Sequence, residues 1–148
     1  MSTVHVKVDI DAPLQRVWDT VMDPHHFKDW VTIHRSVSHV SELPLHKGST
    51  MDQMMHMRGV SFRVHWTLVD VNEPNRAEWE GRGPAHSEAR ITYELSGDSE
   101  GPTAFEYSNE FTPPGGRVGS AASRFLVGAA SEREAHRSLE RLKSRLER

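Results

Sequence analysis

The 148-residue chain contains no cysteine. That excludes a disulfide framework, a thiolate metal centre and a cysteine nucleophile. Long hydrophobic runs are also missing: no stretch approaches ~18 consecutive apolar residues, so no membrane span is expected. The opening Met1-Ser2-Thr3-Val4-His5-Val6 has no basic segment followed by an apolar run. A secretory signal is therefore not expected, and the cytoplasm is the expected location. Neither sign of charge dominates, with 18 Lys and Arg against 21 Asp and Glu. Basic residues outnumber acidic ones only from Arg117 to Arg148, where they would suit the last turns of a helix. They are not interleaved with aromatics on one face, so no nucleic-acid partner is expected. A Gly-x-Ser-x-Gly elbow is absent, and Gly81-Arg82-Gly83 has neither the following glycine nor the helix that a dinucleotide site needs. At this length one domain, 1–148, can bury a core without covalent staples.

Histidine is plentiful, with ten residues, but its placement points away from metal. No pair stands at i, i+4 on an expected helix or i, i+2 on an expected strand, and the adjacent His25 and His26 diverge on a helix turn. His65 falls opposite Trp66 and is expected to face outward, while His86 and Glu88 share a face with Arg90 and Glu94 that reads as solvated. No metal and no cofactor are expected.

Alternation dominates the chain. Val4, Val6, Val8 and Ile10 alternate with polar residues and read as a half-buried strand. Asp11-Ala12-Pro13 ends it, with Pro13 suited to the first turn of a helix over 13–22 that carries Leu14, Val17, Trp18 and Val21 on one face. Asp23-Pro24 starts a second short helix with Phe27 and Trp30 on one side. Residues 31–42 form a poorly alternating strand, and 43–48 a turn. The following strands place on single faces Met51, Gln53, Met55 and Met57, then Phe62, Val64, Trp66 and Leu68. Arg58-Gly59 makes the hairpin between them. Ala77, Trp79 and Gly81, then Ala89, Ile91, Tyr93 and Leu95, then Phe105, Tyr107, Asn109 and Phe111 continue the pattern. After Pro113-Pro114-Gly115-Gly116 a helix of about thirty residues, ~45 Å long, carries Val118, Ala122, Phe125 and Ala129, then Ala135, Leu139, Leu142 and Leu146, on its apolar side.

Strand, two short helices, six strands and one long terminal helix is the order of the helix-grip fold. The segments Ile10-Asp11-Ala12-Pro13 with Val17-Trp18, and Asp23-Pro24 with Phe27 and Trp30, resemble the N-terminal signature of the START-like (SRPBCC) superfamily. Within it the likeness is to bacterial polyketide cyclase/dehydrase-like proteins. Trp66-Thr67-Leu68-Val69-Asp70-Val71 with Pro74 and Trp79-Glu80 is similar to the central strands, and Ser138-Leu139-Glu140-Arg141-Leu142-Lys143 to the closing helix. The likeness covers essentially the whole chain. It implies an α+β fold, a curved antiparallel sheet of about seven strands with the long C-terminal helix packed across it, and a space between the two. The superfamily holds lipid carriers, receptors, cyclases and oxygenase subunits, so fold alone does not name a chemistry.

The residues expected to line that space are Trp30, Met51, Gln53, Met55, Met57, Phe62, Val64, Trp66 and Trp79. Ile91, Tyr93, Phe105, Tyr107, Asn109 and Phe111 complete the sheet side, facing Phe125 and Ala129. Methionine adapts its shape and aromatics offer large rigid area, a wall suited to a flat apolar ligand or equally to a filled core. Gln53, Tyr93, Tyr107 and Asn109 stand where alternation demands burial. Each either fixes a ligand oxygen or bonds to neighbours, backbone or trapped water. If the chain catalyses a reaction, Tyr107 and Tyr93 are the candidate proton donors and Asn109 and Gln53 the orienting groups. Three functions follow: a binder of a small hydrophobic or aromatic molecule, a polyketide cyclase or dehydratase using the same cavity, or an accessory subunit that docks a larger enzyme. A monomer or homodimer fits any of them.

Overall fold

The computed structural model describes residues 2–112 and 121–148, with side chains at 3–112 and 131–148. Alternating sequence forms seven strands: β1 (Ser2–Ile10), β2 (His34–Ser38), β3 (Thr50–Met57), β4 (Val60–Asn72), β5 (Arg76–Arg82), β6 (Glu88–Gly97) and β7 (Thr103–Thr112). They make one antiparallel sheet in the order β1-β7-β6-β5-β4-β3-β2. Among the described residues only the β1–β7 pairing joins strands distant in sequence, so the sheet is an open run of hairpins with β1 added at one edge and β2 at the other. Among the described residues no helix is long and apolar enough to cross a membrane.

Between β1 and β2 lie α1 (Leu14–Val21), a single tight turn over Pro24–His26, and α2 (Phe27–Trp30). Pro13 stands one position earlier than its sequence suggests, at the cap of α1, and the Leu14 amide reaches the Asp98 carbonyl across the loop. Asp23 caps the next turn by accepting from the His25 amide at 2.9 Å. The strand expected over 31–42 shrinks to β2. Val31 and Ile33 use their carbonyls in turn and cross-strand bonds to His34 and His56, pairing slips between His34 and Ser36, and His39 adopts a φ of 52°. The Arg58-Gly59 hairpin needs left-handed backbone at both positions, with φ of 54° and 81°, which suits glycine at the second.

Register sets the inward rows. Leu68, Trp79, Ile91 and Asn109 form one ladder across β4–β7, and Ala77, Tyr93 and Tyr107 the next. A bulge between Leu68 and Asp70 bends β4 and deepens the curl of the sheet. The long helix α3 (Ala121–Leu146) crosses this hollow, packing against β1 and α2. Its side chains Ala135, Leu139, Leu142 and Leu146 are buried, as the spacing predicts. Val118 lies outside the described residues, as do the side chains of Ala122, Phe125 and Ala129. The far end of α3 is tied to β1: Lys143 Nζ donates to the Asp9 carbonyl at 2.6 Å, and Glu147 accepts from the Asp11 amide at 2.8 Å.

Candidate functional site

Under α3 the curled sheet encloses a cavity of about 420 Å³. Strand β3 contributes Met51, Gln53, Met55 and Met57 to its wall, and β4 contributes Phe62, Val64 and Trp66. From β5, β6 and β7 come Trp79, Ile91 and Tyr93, then Tyr107, Asn109 and Phe111, while α2 supplies Trp30. Phe105 is the exception among the described candidates. It is fully buried behind Trp30 and Tyr93, with ring centroids 6.3 and 5.4 Å away, so it supports the wall without forming it. Exposed Arg58, Val60, Pro84 and Glu88 also border the cavity, which therefore reaches solvent between the β3–β4 hairpin and the β5–β6 connection.

The polar side chains inside differ in how they are held. Gln53 is clamped, with its Oε1 accepting from the Trp66 indole Nε1 at 2.9 Å and its Nε2 facing His34 Nδ1 at 2.8 Å. An amide nitrogen donates, so the His34 Nδ1 accepts and the ring is the neutral tautomer. Burial holds the His34 imidazole below its ordinary range, which agrees with that state. Gln53 thus commits its carbonyl to fixing Trp66. Trp66 lies flat over Gly81, where an added Cβ would come within 2.6 Å of the ring. Glycine there is what lets the indole form part of the wall.

Tyr93 and Tyr107 stand side by side on adjacent strands, their rings 6.2 Å apart and tilted by 35°. Burial pushes the Tyr107 hydroxyl up to about 12, partly offset by the Asn109 side chain. Burial and the neighbouring Tyr107 raise Tyr93 further. Both are neutral phenols at physiological pH, able to donate a hydrogen bond but not to act as bases.

A polar cluster at the α3 side of the cavity was not anticipated. Glu134 and Ser138, one turn apart on α3, both line it. Thr32 joins them: its hydroxyl donates to a Glu134 carboxylate oxygen, and its amide donates to Ser138 Oγ at 3.1 Å. The only sequence signal was the flanking of the Ala135–Leu139 stripe by two polar residues at i, i+4. His34 was missed because β2 alternates poorly. Among the described residues no three His, Asp or Glu side chains gather as metal ligands would.

The family model described as polyketide cyclase / dehydrase and lipid transport matches residues 1–147. The chain belongs to that family. A curated relative, Toxin Rv0910 of Mycobacterium tuberculosis (strain ATCC 25618 / H37Rv), is 27% identical over 85 residues, which span 56% of this chain and 58% of the relative. The Zhui aromatase/cyclase of a Streptomyces species superposes with a TM-score of 0.77 at 15% identity, over 99% of this chain and 93% of that one. TTHA0849 from Thermus thermophilus gives 0.76 at 17% identity, over 97% of this chain and 96% of that one. At such identities the superpositions establish the helix-grip fold of this polyketide cyclase/dehydrase-family chain, and not its chemistry.

Proposed function

We propose that this chain binds a small hydrophobic or aromatic molecule in the cavity between its sheet and α3. The observation that carries the proposal is a cavity of about 420 Å³, open at one end and walled by methionine, aromatic and aliphatic side chains. That volume suits a ligand of two to four fused rings. Burying ~300 Å² of ring surface would contribute about 7 kcal/mol before the rigid-body cost of association is met. Met51, Met55 and Met57 share the wall with the rigid indoles of Trp30, Trp66 and Trp79, so part of the lining can adapt its shape while the rest holds its form.

Native mass spectrometry of the purified protein tests the reading directly, the expected result being a co-purified apolar molecule or stoichiometric uptake of an added polycyclic aromatic. Ile91→Trp, which fills the cavity, and Trp66→Ala, which removes a wall, should both weaken uptake. Equal uptake by wild type and Ile91→Trp would overturn the proposal.

A second reading is favoured by the pair of neutral phenols beside Asn109: a cyclase or dehydratase that folds a poly-carbonyl chain against the wall, with the Tyr107 hydroxyl donating a hydrogen bond to a carbonyl oxygen as it gains enolate character. It predicts product formation that Tyr107→Phe slows while affinity is retained. If wild type binds such a chain and leaves it unchanged, the enzyme reading fails and the binder stands.

A further inference from the structure

A second recess, of about 290 Å³, lies on the outside of the molecule between α2 and the last turns of α3. It is lined by Lys28 and Asp29 from α2 and by Arg141, Ser144, Arg145 and Arg148 from α3. None of these residues lines the apolar cavity. Four cations therefore gather around one carboxylate. Among the described residues only Arg145 of the four is paired, with Asp29 at 3.5 Å. The same carboxylate is also engaged by His26, whose Nδ1 lies 3.1 Å away.

The macrodipole favours cations at the C-terminal end of a helix, but it acts along the axis and does not choose a flank. Here the flanks differ. At about 100° per residue, Arg141, Ser144, Arg145 and Arg148 fall on the side toward α2, and Glu140, Lys143 and Glu147 on the other. On that other side the charges are mixed and tied into the fold: Lys143 pairs with Glu147 at 2.6 Å and donates to the Asp9 carbonyl. On the α2 side Arg141 and Arg145 stand at i, i+4 and Arg145 and Arg148 at i, i+3, spacings at which like charges repel. Lys28 adds a further cation from a different element, where the dipole of α3 gives no reason for one. An anion brought from outside would offset this concentration.

The cations narrow the kind of anion. A guanidinium is a planar fork that grips two oxygens of one phosphate or carboxylate. Three such forks, an ammonium and the Ser144 hydroxyl offer more donors than a single carboxylate can accept. A phosphomonoester, with three acceptor oxygens and about two negative charges at neutral pH, matches the set. The recess is close to the ~300 Å³ lower bound of small-molecule sites, so it has room for that group and part of what carries it.

We infer that the recess between α2 and α3 binds a phosphomonoester group, held by Lys28, Arg141, Arg145 and Arg148 with a hydrogen bond from Ser144, while Asp29 positions Arg145. The group is carried by a soluble molecule or by the headgroup of an anionic lipid, both of which present the same oxygens. The site shares no residue with the apolar cavity, so it stands whatever that cavity holds.

Two assays distinguish the carriers: calorimetric titration with glycerol phosphate, and co-sedimentation with vesicles of phosphatidylcholine with or without phosphatidic acid. Saturable uptake of glycerol phosphate supports the site with a soluble carrier, and sedimentation that depends on phosphatidic acid supports it with a lipid one. In whichever assay responds, Lys28→Gln and Arg141→Gln should each weaken the interaction about fivefold to tenfold. Both side chains are exposed, so folding is not at stake. Arg63→Gln removes the same charge from the exposed outer face of β4 and should change affinity by less than about twofold. An equal loss in Arg63→Gln would reduce the recess to diffuse attraction and overturn the inference. So would binding that survives both substitutions in the recess, or a protein that neither takes up glycerol phosphate nor responds to phosphatidic acid.

Discussion

The two ends of the curled sheet carry the same alternating pattern and meet opposite fates. On β7, Thr103 and Phe105 are fully buried, whereas Tyr107, Asn109 and Phe111, next along the same inward row, are only partly covered. On β6, Leu95 and Tyr93 are buried and Ile91 and Ala89 are not. The packed end receives α1 through Val17, Trp18 and Val21, α2 through Trp30, and the last turns of α3 through Leu139, Leu142 and Leu146. The other end has the cavity and its exposed rim of Arg58, Val60, Pro84 and Glu88. The difference lies in what covers each row, since strand propensity and face assignment are alike in both. Stability is thereby concentrated at one end and room for a ligand at the other.

The comparison can be broken most sharply by truncation. Phe105→Ala should cost ~3–5 kcal/mol in urea unfolding, because its space is sealed on every side. Phe62→Ala, on the cavity wall, should cost about 1 kcal/mol, since much of that ring already faces open volume. Equal losses would mean that the cavity end is as tightly filled as the other.

Next in size is the junction between the ends. Gly81→Ala would drive a Cβ to 2.6 Å from Trp66, tilting the indole and straining its bond to Gln53. A destabilisation of ~1–3 kcal/mol is expected, with a change in Trp66 fluorescence and weaker ligand uptake. Gln53→Leu should cost ~1–2 kcal/mol, because it leaves the Trp66 N–H and His34 without their partner. An unchanged melting temperature in Gln53→Leu would show that the clamp is dispensable.

A smaller effect comes from pH. Burial lowers the His34 pKa from its ordinary 6.5, so between the folded and unfolded values the unfolded chain binds a proton that the folded chain does not. This contribution to stability is fully present above about pH 6.5 and declines as pH falls toward the folded value. His34→Gln should flatten that part of the profile. The lowered carboxylates Asp29, Asp52 and Glu147 act in a separate, more acidic window, since their folded values lie below an ordinary 3.8 to 4.5. The smallest effect is expected on the outer face. Arg90 pairs there with Glu78 and Glu80 in solvent, and Arg90→Ala should change stability by less than ~1 kcal/mol, and less at high salt.

Much of this molecule could be read from local pattern. The hairpin at Arg58-Gly59, the cap at Asp23, the inward faces of β3 to β7 and the stripe Ala135, Leu139, Leu142, Leu146 all follow from spacing and turn chemistry, which act between near neighbours. β2 was blurred because a register slip and turn bonds interrupt its alternation. Phe105 looked like its neighbours because depth beneath a helix leaves no trace in a two-residue period. The cluster of Thr32 with Glu134 and Ser138 could not be foreseen, since about a hundred residues separate Thr32 from the other two.

What belongs to the chain alone is therefore which side of each strand and helix turns inward, because side-chain direction is set by backbone geometry residue by residue. Whether an inward residue ends in solid core or on the wall of a hollow depended on how far α1, α2 and α3 reach across the sheet. That reach comes from the packing of whole elements against one another, and no short stretch of sequence encodes it.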